Sequence, residues 1–209
     1  MSPVIIDISR PLSKETAPWP GDVPFSLEWT TRIADGATVN LSAFQMSPHV
    51  GTHADAPLHV TEGAPGIDAV SLDGYIGSAR VVTVPGRPKQ VLPGHLAAFD
   101  LLQPPRILLR TGSDPDHKAF PSQCTTLSPE LARLLARSGV KLVGIDTPSI
   151  DPIDSKELIA HKTLHEGGVV WLENLDLTHA PDGVYLLAAL PLRIPGADAA
   201  PVRAVLVRD

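Results

Sequence analysis

The chain has 209 residues, 43% of them apolar, which is enough to bury a substantial core and suits one domain better than two. Its 23 acidic residues outnumber the 17 basic ones for a formal charge of -6, with no long run of either sign, which argues against nucleic acid as the main partner. Apolar stretches are short and end in proline or charge, MSPVIIDISR lacks the unbroken apolar run of a secretory leader, and Cys124 has no second cysteine to pair with. A cytoplasmic protein without a membrane span or an intrachain disulfide is expected.

Strands are expected, in chain order, at VIIDIS (4–9), SLEWTTR (26–32), VNLSAFQM (39–46), ARVVTVP (79–85) and RILLRT (106–111), then at VKLVGID (140–146), VVWLEN (169–174), VYLLAAL (184–190) and VRAVLV (202–207). Their β-branched content and bounding turn residues support the assignment. Helices are fewer. Ser128-Pro129-Glu130 gives an N-cap, an N1 proline and a first-turn acid before LARLLARSG, which Gly139 closes. Ser155 is expected to cap KELIAHKTLH, ending at Gly167. Both helices fall between strands of the C-terminal half, which suggests βαβ-like crossovers there and a mainly β N-terminal half. The domain is α/β or α+β.

Within SPHVGTHADAPLH, residues 47–59, three of the chain's eight histidines share eleven positions with Asp55. Imidazole and carboxylate are the usual ligands of Zn²⁺ and related ions, and neutral histidine binds near physiological pH at little protonation cost. His49 and His53 have the i, i+4 spacing of a helical zinc site, but Pro48, Gly51 and Pro57 argue against a helix. A loop is expected instead, converging His49, His53 and Asp55 on one ion, with Gly51 allowing the bend and Pro57 limiting freedom. His59 is left for another task. Three protein ligands leave an open position, as at a catalytic metal, whereas a structural zinc is closed by four.

Further ligands could come from His161 and Glu173. A carboxylate inside VVWLENL needs a compensating partner if buried, although a solvent-facing Glu on a half-buried strand satisfies the local pattern equally. His161 and His165 lie one helical turn apart and share a face, so spacing does not choose between them and a helix-surface histidine is the simpler reading.

HVGTHADAPLH resembles the signature of the metal-dependent cyclase-like hydrolases. DISRPL, WPGDVPF (19–25), GIDTPSIDPIDSKELIAHKTLH (144–165) and WLENLDL (171–177) extend the resemblance over nearly the whole chain, and WPGDVPF with the chain length narrows it to the formamidase branch. The resemblance implies a single domain over residues 1–209 with a swivelling β/β/α fold, a central mixed sheet and few helices, assembled as a homodimer. It implies two zinc ions per subunit, one held by His49, His53 and Asp55, the other by the bridging Asp55 with His161 and Glu173. Mn²⁺ or Co²⁺ could substitute. His59 matches the catalytic acid/base and Trp19 an aromatic that contacts substrate. The implied reaction is hydrolysis of N-formyl-L-kynurenine to L-kynurenine and formate by a metal-activated water, in tryptophan breakdown.

Other residues carry weaker expectations. Phe25 and Trp29 could line the pocket or join the core, and Asp146 could orient a ligand histidine. Lys156 and Arg110 could meet a substrate carboxylate, but surface solvation suits each better. Two rivals fit the same ligands: a hydrolase opening another amide or lactam ring, and a metal sensor. A sensor would saturate its ion rather than keep His59 and Trp19 beside it.

Overall fold

The computed structural model describes residues 3–114 and 116–208. In chain order the strands and helices are β1 (Val4–Asp7), β2 (Ser26–Thr31), β3 (Leu41–Gln45), β4 (His53–Asp55), β5 (Ile76–Thr83), β6 (Gln90–Val91), β7 (Arg106–Arg110) and β8 (Thr126–Leu127). Then follow α1 (Pro129–Arg137), β9 (Leu142–Ile145), α2 (Ile159–Glu166), β10 (Val170–Glu173), β11 (Gly183–Ala188), β12 (Ala199–Pro201) and β13 (Val205–Arg208). Nine strands make one mixed sheet in the order β1-β13-β11-β5-β7-β9-β10-β4-β12, as expected of an α/β chain with few helices.

Strands β5, β7, β9 and β10 run parallel. Helix α1 lies between β7 and β9 in sequence and α2 between β9 and β10, so the anticipated crossovers are present. Covered on both faces, the central strands β7 and β9 read as apolar runs rather than alternating ones: Ile107, Leu108 and Leu109 are buried, as is all of Leu142–Ile145. Ile107, Val143 and Trp171 share one face with Leu131, Leu135 and Leu164 of the helices. Leu108, Leu142 and Leu172 point the other way, into a second core with Tyr75, Leu175 and Leu187.

Helix α1 begins as its sequence prescribes, with the Ser128 hydroxyl accepting from Leu131 N and Pro129 at the first position. Helix α2 does not. It starts at Ile159, four residues after Ser155, and the side chain that satisfies its free amides is Asp151, which accepts from Ala160 N and His161 N at 3.0 Å each. Ser155 caps only a turn, accepting from Leu158 N. A carboxylate answers the positive end of the helix better than a hydroxyl does.

A second departure concerns the histidine stretch. His53–Asp55 is a strand, not a loop, paired on one side with β10 and on the other with β12. Its proline- and glycine-rich flanks give no local strand signal, and its pairing is entirely long-range. Strands β2 and β3 form a hairpin outside the main sheet with every residue exposed. Trp29 stands there, 46% exposed, and Phe25 stacks on Phe44 beside it, so neither joins the core.

Candidate active site

Strand geometry assembles the centre. His53 lies directly opposite Glu173 on the β4–β10 ladder, so both project from one face, and the two-residue period adds Asp55 and Trp171 to that face. This is the face on which the helices pack, and α2 brings the buried His161 down onto it. His53, Asp55, His161 and Glu173 are all at most 4% exposed. His49 arrives from the bend before β4, where Gly51 adopts φ +71 and a Cβ would lie 2.6 Å from the Leu12 side chain. His59 comes from the short 3-10 turn Pro57–His59 that follows β4. Gly51 and Pro57 thus shape the stretch as expected.

The ring nitrogens converge on two carboxylates. Asp55 Oδ1 lies 3.1 Å from His49 Nδ1 and 3.3 Å from His53 Nε2, while its Oδ2 lies 3.7 Å from His161 Nε2 and 3.9 Å from His59 Nε2. Glu173 stands 3.4 Å from His53 Nε2 and 3.3 Å from His161 Nε2. Each imidazole is fixed from behind by its other nitrogen. His53 Nδ1 donates to the Gly51 carbonyl at 2.9 Å, His161 Nδ1 to Asp151 at 2.7 Å, and His49 Nε2 to Asp198 at 2.8 Å. The carboxylates are held as well: Trp171 Nε1 donates to Asp55 Oδ2 at 3.0 Å and Ile150 N to Glu173 Oε1 at 2.8 Å.

Such a donor set fits a divalent ion. His53 Nε2 and Asp55 Oδ1 are buried at its middle and make no hydrogen bond among the described residues, a costly arrangement unless something else occupies them. Donor atoms of His53, Asp55 and Glu173 lie within 4.8 Å of one another, and so do those of His49, Asp55 and His59. Asp55 belongs to both groups. The second group contains His59, so distance alone does not divide the ligands from the acid/base.

Electrostatics point the same way. Burial disfavours charge on the imidazoles, but the neighbouring carboxylates prevail, raising His49 to about 9 through Asp198 and Asp55. His53 rises to about 10 through Asp55 and Glu173, and His161 to about 10 through Asp151 and Glu173. Burial pushes Asp55 and Glu173 up, and the Asp55 charge adds to this at Glu173, yet the histidines hold both below the ordinary carboxylate range. Without an ion, protonated imidazoles are the counter-charges; binding a cation displaces those protons.

The centre opens into a cavity of about 320 Å³ at the carboxyl ends of the parallel strands, where ligands of open α/β sheets bind. His49, His53, His59, His161 and Glu173 form its inner wall. Its outer wall comes from two distant segments, one carrying Trp19 and Asp22, the other His117, Phe120 and Pro121. Ala17 N donates to the His117 carbonyl at 2.9 Å, Lys118 meets Glu15 at 2.7 Å, and Trp19 sets its ring edge-on to Phe120 with centroids 4.9 Å apart.

Every residue expected at the site is therefore at this cavity or its floor: Trp19, His49, His53, Asp55, His59, His161 and Glu173. His165 is not among the cavity's lining residues. Asp146 is a correction, since its carboxylate accepts from Thr111 and Gly112 and orients no histidine. Arg110 is engaged with Asp182 at 2.9 Å. Sequence reasoning missed Asp151, Trp171, Asp198 and Phe120. Only Asp151 had a local signal, an acid shortly before a helix.

Fold and centre together define a hydrolase of the metal-dependent type. Solved structures agree: a potential metal-dependent hydrolase with cyclase activity aligns over 100% of both chains with TM-score 0.86 at 27% identity. A predicted metal-dependent hydrolase from Bacillus stearothermophilus aligns over 99% of both with TM-score 0.83 at 26% identity. Isatin hydrolase A from Labrenzia aggregata shares the fold, with TM-score 0.83 over 98% of this chain and 93% of that one at 20% identity. The family described as Putative cyclase matches residues 6–152, and the chain belongs to that family. Among curated relatives, the kynurenine formamidase of Salinibacter ruber (strain DSM 13855 / M31) is 46% identical over 205 residues, covering 97% of this chain and 96% of that protein.

Proposed function

We propose that this hydrolase cleaves N-formyl-L-kynurenine to L-kynurenine and formate, a step of tryptophan breakdown by the kynurenine route. The observation that carries the reading is a cavity with a His/Asp/Glu centre on one wall and an aromatic pair, Trp19 and Phe120, on the other. Near-half identity to a curated kynurenine formamidase along the whole chain supports it.

His49, His53 and Asp55 would hold one zinc ion, and Asp55, His161 and Glu173 a second; Mn²⁺ or Co²⁺ could replace them. Divalent ions bound there would supply Lewis acidity, to activate water near neutral pH and to offset negative charge on the carbonyl oxygen. The chain does the rest. Trp19 and Phe120 offer apolar faces to the substrate's aryl ring. His59, more exposed than the buried ligands and free of any buried carboxylate within hydrogen-bond reach, takes a proton from the attacking water through Nε2 and returns it to the departing aryl amine nitrogen.

The chain works as a cytoplasmic homodimer. The exposed β2–β3 hairpin favours this: Leu27, Trp29, Leu41 and Phe44 are each 46% to 62% exposed, the kind of apolar surface a second copy covers. No helix among the described residues is long and apolar enough to cross a membrane. The deciding experiment is turnover of N-formylkynurenine, lost on chelation and restored by zinc. Absence of turnover with zinc fully bound would overturn the reading, and hydrolysis of a lactam ring in its place would favour the rival substrate.

A further inference from the structure

Asp198 is a carboxylate beside the centre that the functional reading leaves without a part in the reaction. It directly precedes β12, the edge strand of the sheet, where Ala199 pairs with Asp55, and its own carbonyl accepts from Ala56 N at 2.8 Å. Its backbone is therefore tied to the strand that carries the donors and to the residue that opens the His59 turn. Ile67 N bonds to the neighbouring Ala197 carbonyl at 2.8 Å and steadies the approach. From this position one oxygen, Oδ2, accepts from two rings, His49 Nε2 at 2.8 Å and His59 Nδ1 at 3.4 Å. The two imidazoles lie with centroids 4.4 Å apart. Both line the cavity, whereas Asp198 stands behind them.

With the rings neutral, as beside a bound cation, this arrangement favours hydrogen on the nitrogen of each ring that faces Asp198. A neutral ring that donates from one nitrogen to a carboxylate presents a lone pair at the other, and a ring beside a bound cation is neutral. For His49 the lone pair is then on Nδ1, 3.1 Å from Asp55; for His59 it is on Nε2, which faces Asp55 from 3.9 Å. We propose that Asp198 is a positioning residue, which fixes the tautomer and aim of His59 and couples it to the ligand ring of His49 through one shared oxygen. The inference rests on the acid/base role proposed for His59. In the reaction the proton travels from water to His59 Nε2 and on to the amine nitrogen as the carbon–nitrogen bond breaks. Asp198 neither gains nor loses a proton. Its side chain is 43% exposed, so it acts by orientation more than by a strong buried charge.

The test uses the zinc-loaded protein. Long-range ¹H–¹⁵N spectra, with the His59 signals identified by their loss in His59→Ala, are expected to show His59 carrying hydrogen on Nδ1 in the unaltered chain and a mixture of tautomers in Asp198→Ala. At saturating zinc and with N-formylkynurenine as substrate, Asp198→Ala should lower kcat by about 10- to 100-fold with little change in KM. Asp198→Asn, which keeps the size and removes the charge, should lose activity in the same direction, and Asp198→Glu should recover part of it. In a His59→Ala background at saturating zinc the Asp198→Ala change should cost far less than in the unaltered chain, the remainder reflecting its hold on the His49 ring. An equal cost in both backgrounds, or a His59 tautomer indifferent to residue 198, would overturn the proposal. If the unaltered zinc protein fails to turn over N-formylkynurenine, the proposed function fails, and the tautomer spectra still decide the role of Asp198.

Discussion

The two walls of the cavity are built on different principles. The inner wall stands on paired strands and a packed helix, and every donor on it has a second contact that fixes its direction: Gly51 for His53, Asp151 for His161, Asp198 for His49, Trp171 for Asp55 and Ile150 for Glu173. The outer wall is two loops joined by one backbone hydrogen bond, one exposed ion pair and an edge-on aromatic contact. The inner wall is preorganised for chemistry, which tolerates little misplacement. In the proposed reaction the outer wall would select by surface and shape. Substrate choice can thus change without disturbing the reaction centre.

The sharpest way to break this contrast is at Asp55, which belongs to both donor groups. Asp55→Ala should lose bound zinc and, with it, measurable turnover, as read by metal analysis of purified protein. Retained zinc would mean that the remaining residues hold the ions without a bridge. His59→Ala should keep its zinc and lose about 10²- to 10⁴-fold in kcat. Equal metal loss in the two variants would make His59 a ligand, as its presence in one donor group allows. Next comes Trp171→Phe, which removes the indole donor to Asp55 and keeps most of the packing. A drop of about 10- to 100-fold in zinc affinity is expected, measured by competition with a chelator.

On the outer wall Phe120→Ala should act differently, raising KM by about 2- to 12-fold with kcat and zinc content unchanged, the equivalent of about 0.5 to 1.5 kcal/mol of aromatic contact. A fall in kcat instead would show that the loops help assemble the centre. The smallest effect concerns pH. In metal-free protein the raised values of His49, His53 and His161 mean that their stabilising contribution is complete below about pH 6.5 and is lost as pH rises through about 9 to 10. Melting temperature should decline over that window after chelation. The zinc-loaded protein, whose ligand rings are already neutral, should lack this decline, and parallel curves would contradict the assignment.

The parts legible in the sequence were those whose signals are local. Parallel strands covered on both faces read as apolar runs, α1 announced itself through Ser128 and Pro129, and eleven residues concentrated three histidines. Glu173 was suspected because a carboxylate in so apolar a strand needs a partner, and the structure supplies two imidazoles and a backbone amide. What was missed depends on distance along the chain. Asp198 is remote from His49 and His59 in sequence and meets them only because β12 closes the sheet beside β4. Trp171 lies in the core, yet its ring nitrogen serves Asp55, a contact that no local pattern signals. The strand His53–Asp55 was read as a loop because strand pairing, not propensity, makes it a strand. His161 and His165 are not separated by spacing; packing separates them, with His161 buried against the centre and His165 absent from the cavity lining.

The register of β4 against β10 has a further consequence. Sliding three residues by a single position would turn His53 and Asp55 into the opposite core and bring Ala54 to face Glu173. Strand β4 is so short that its ladder bonds alone pin that register weakly, and beyond it lies only the edge strand β12, ending in Pro201. Ions gripping both β4 and β10 would act as a rivet through the sheet. Removing them should therefore loosen the β4–β12 margin first, visible as faster amide exchange at Ala54 and Ala200 than at Val143, so that loading the metal also finishes the fold.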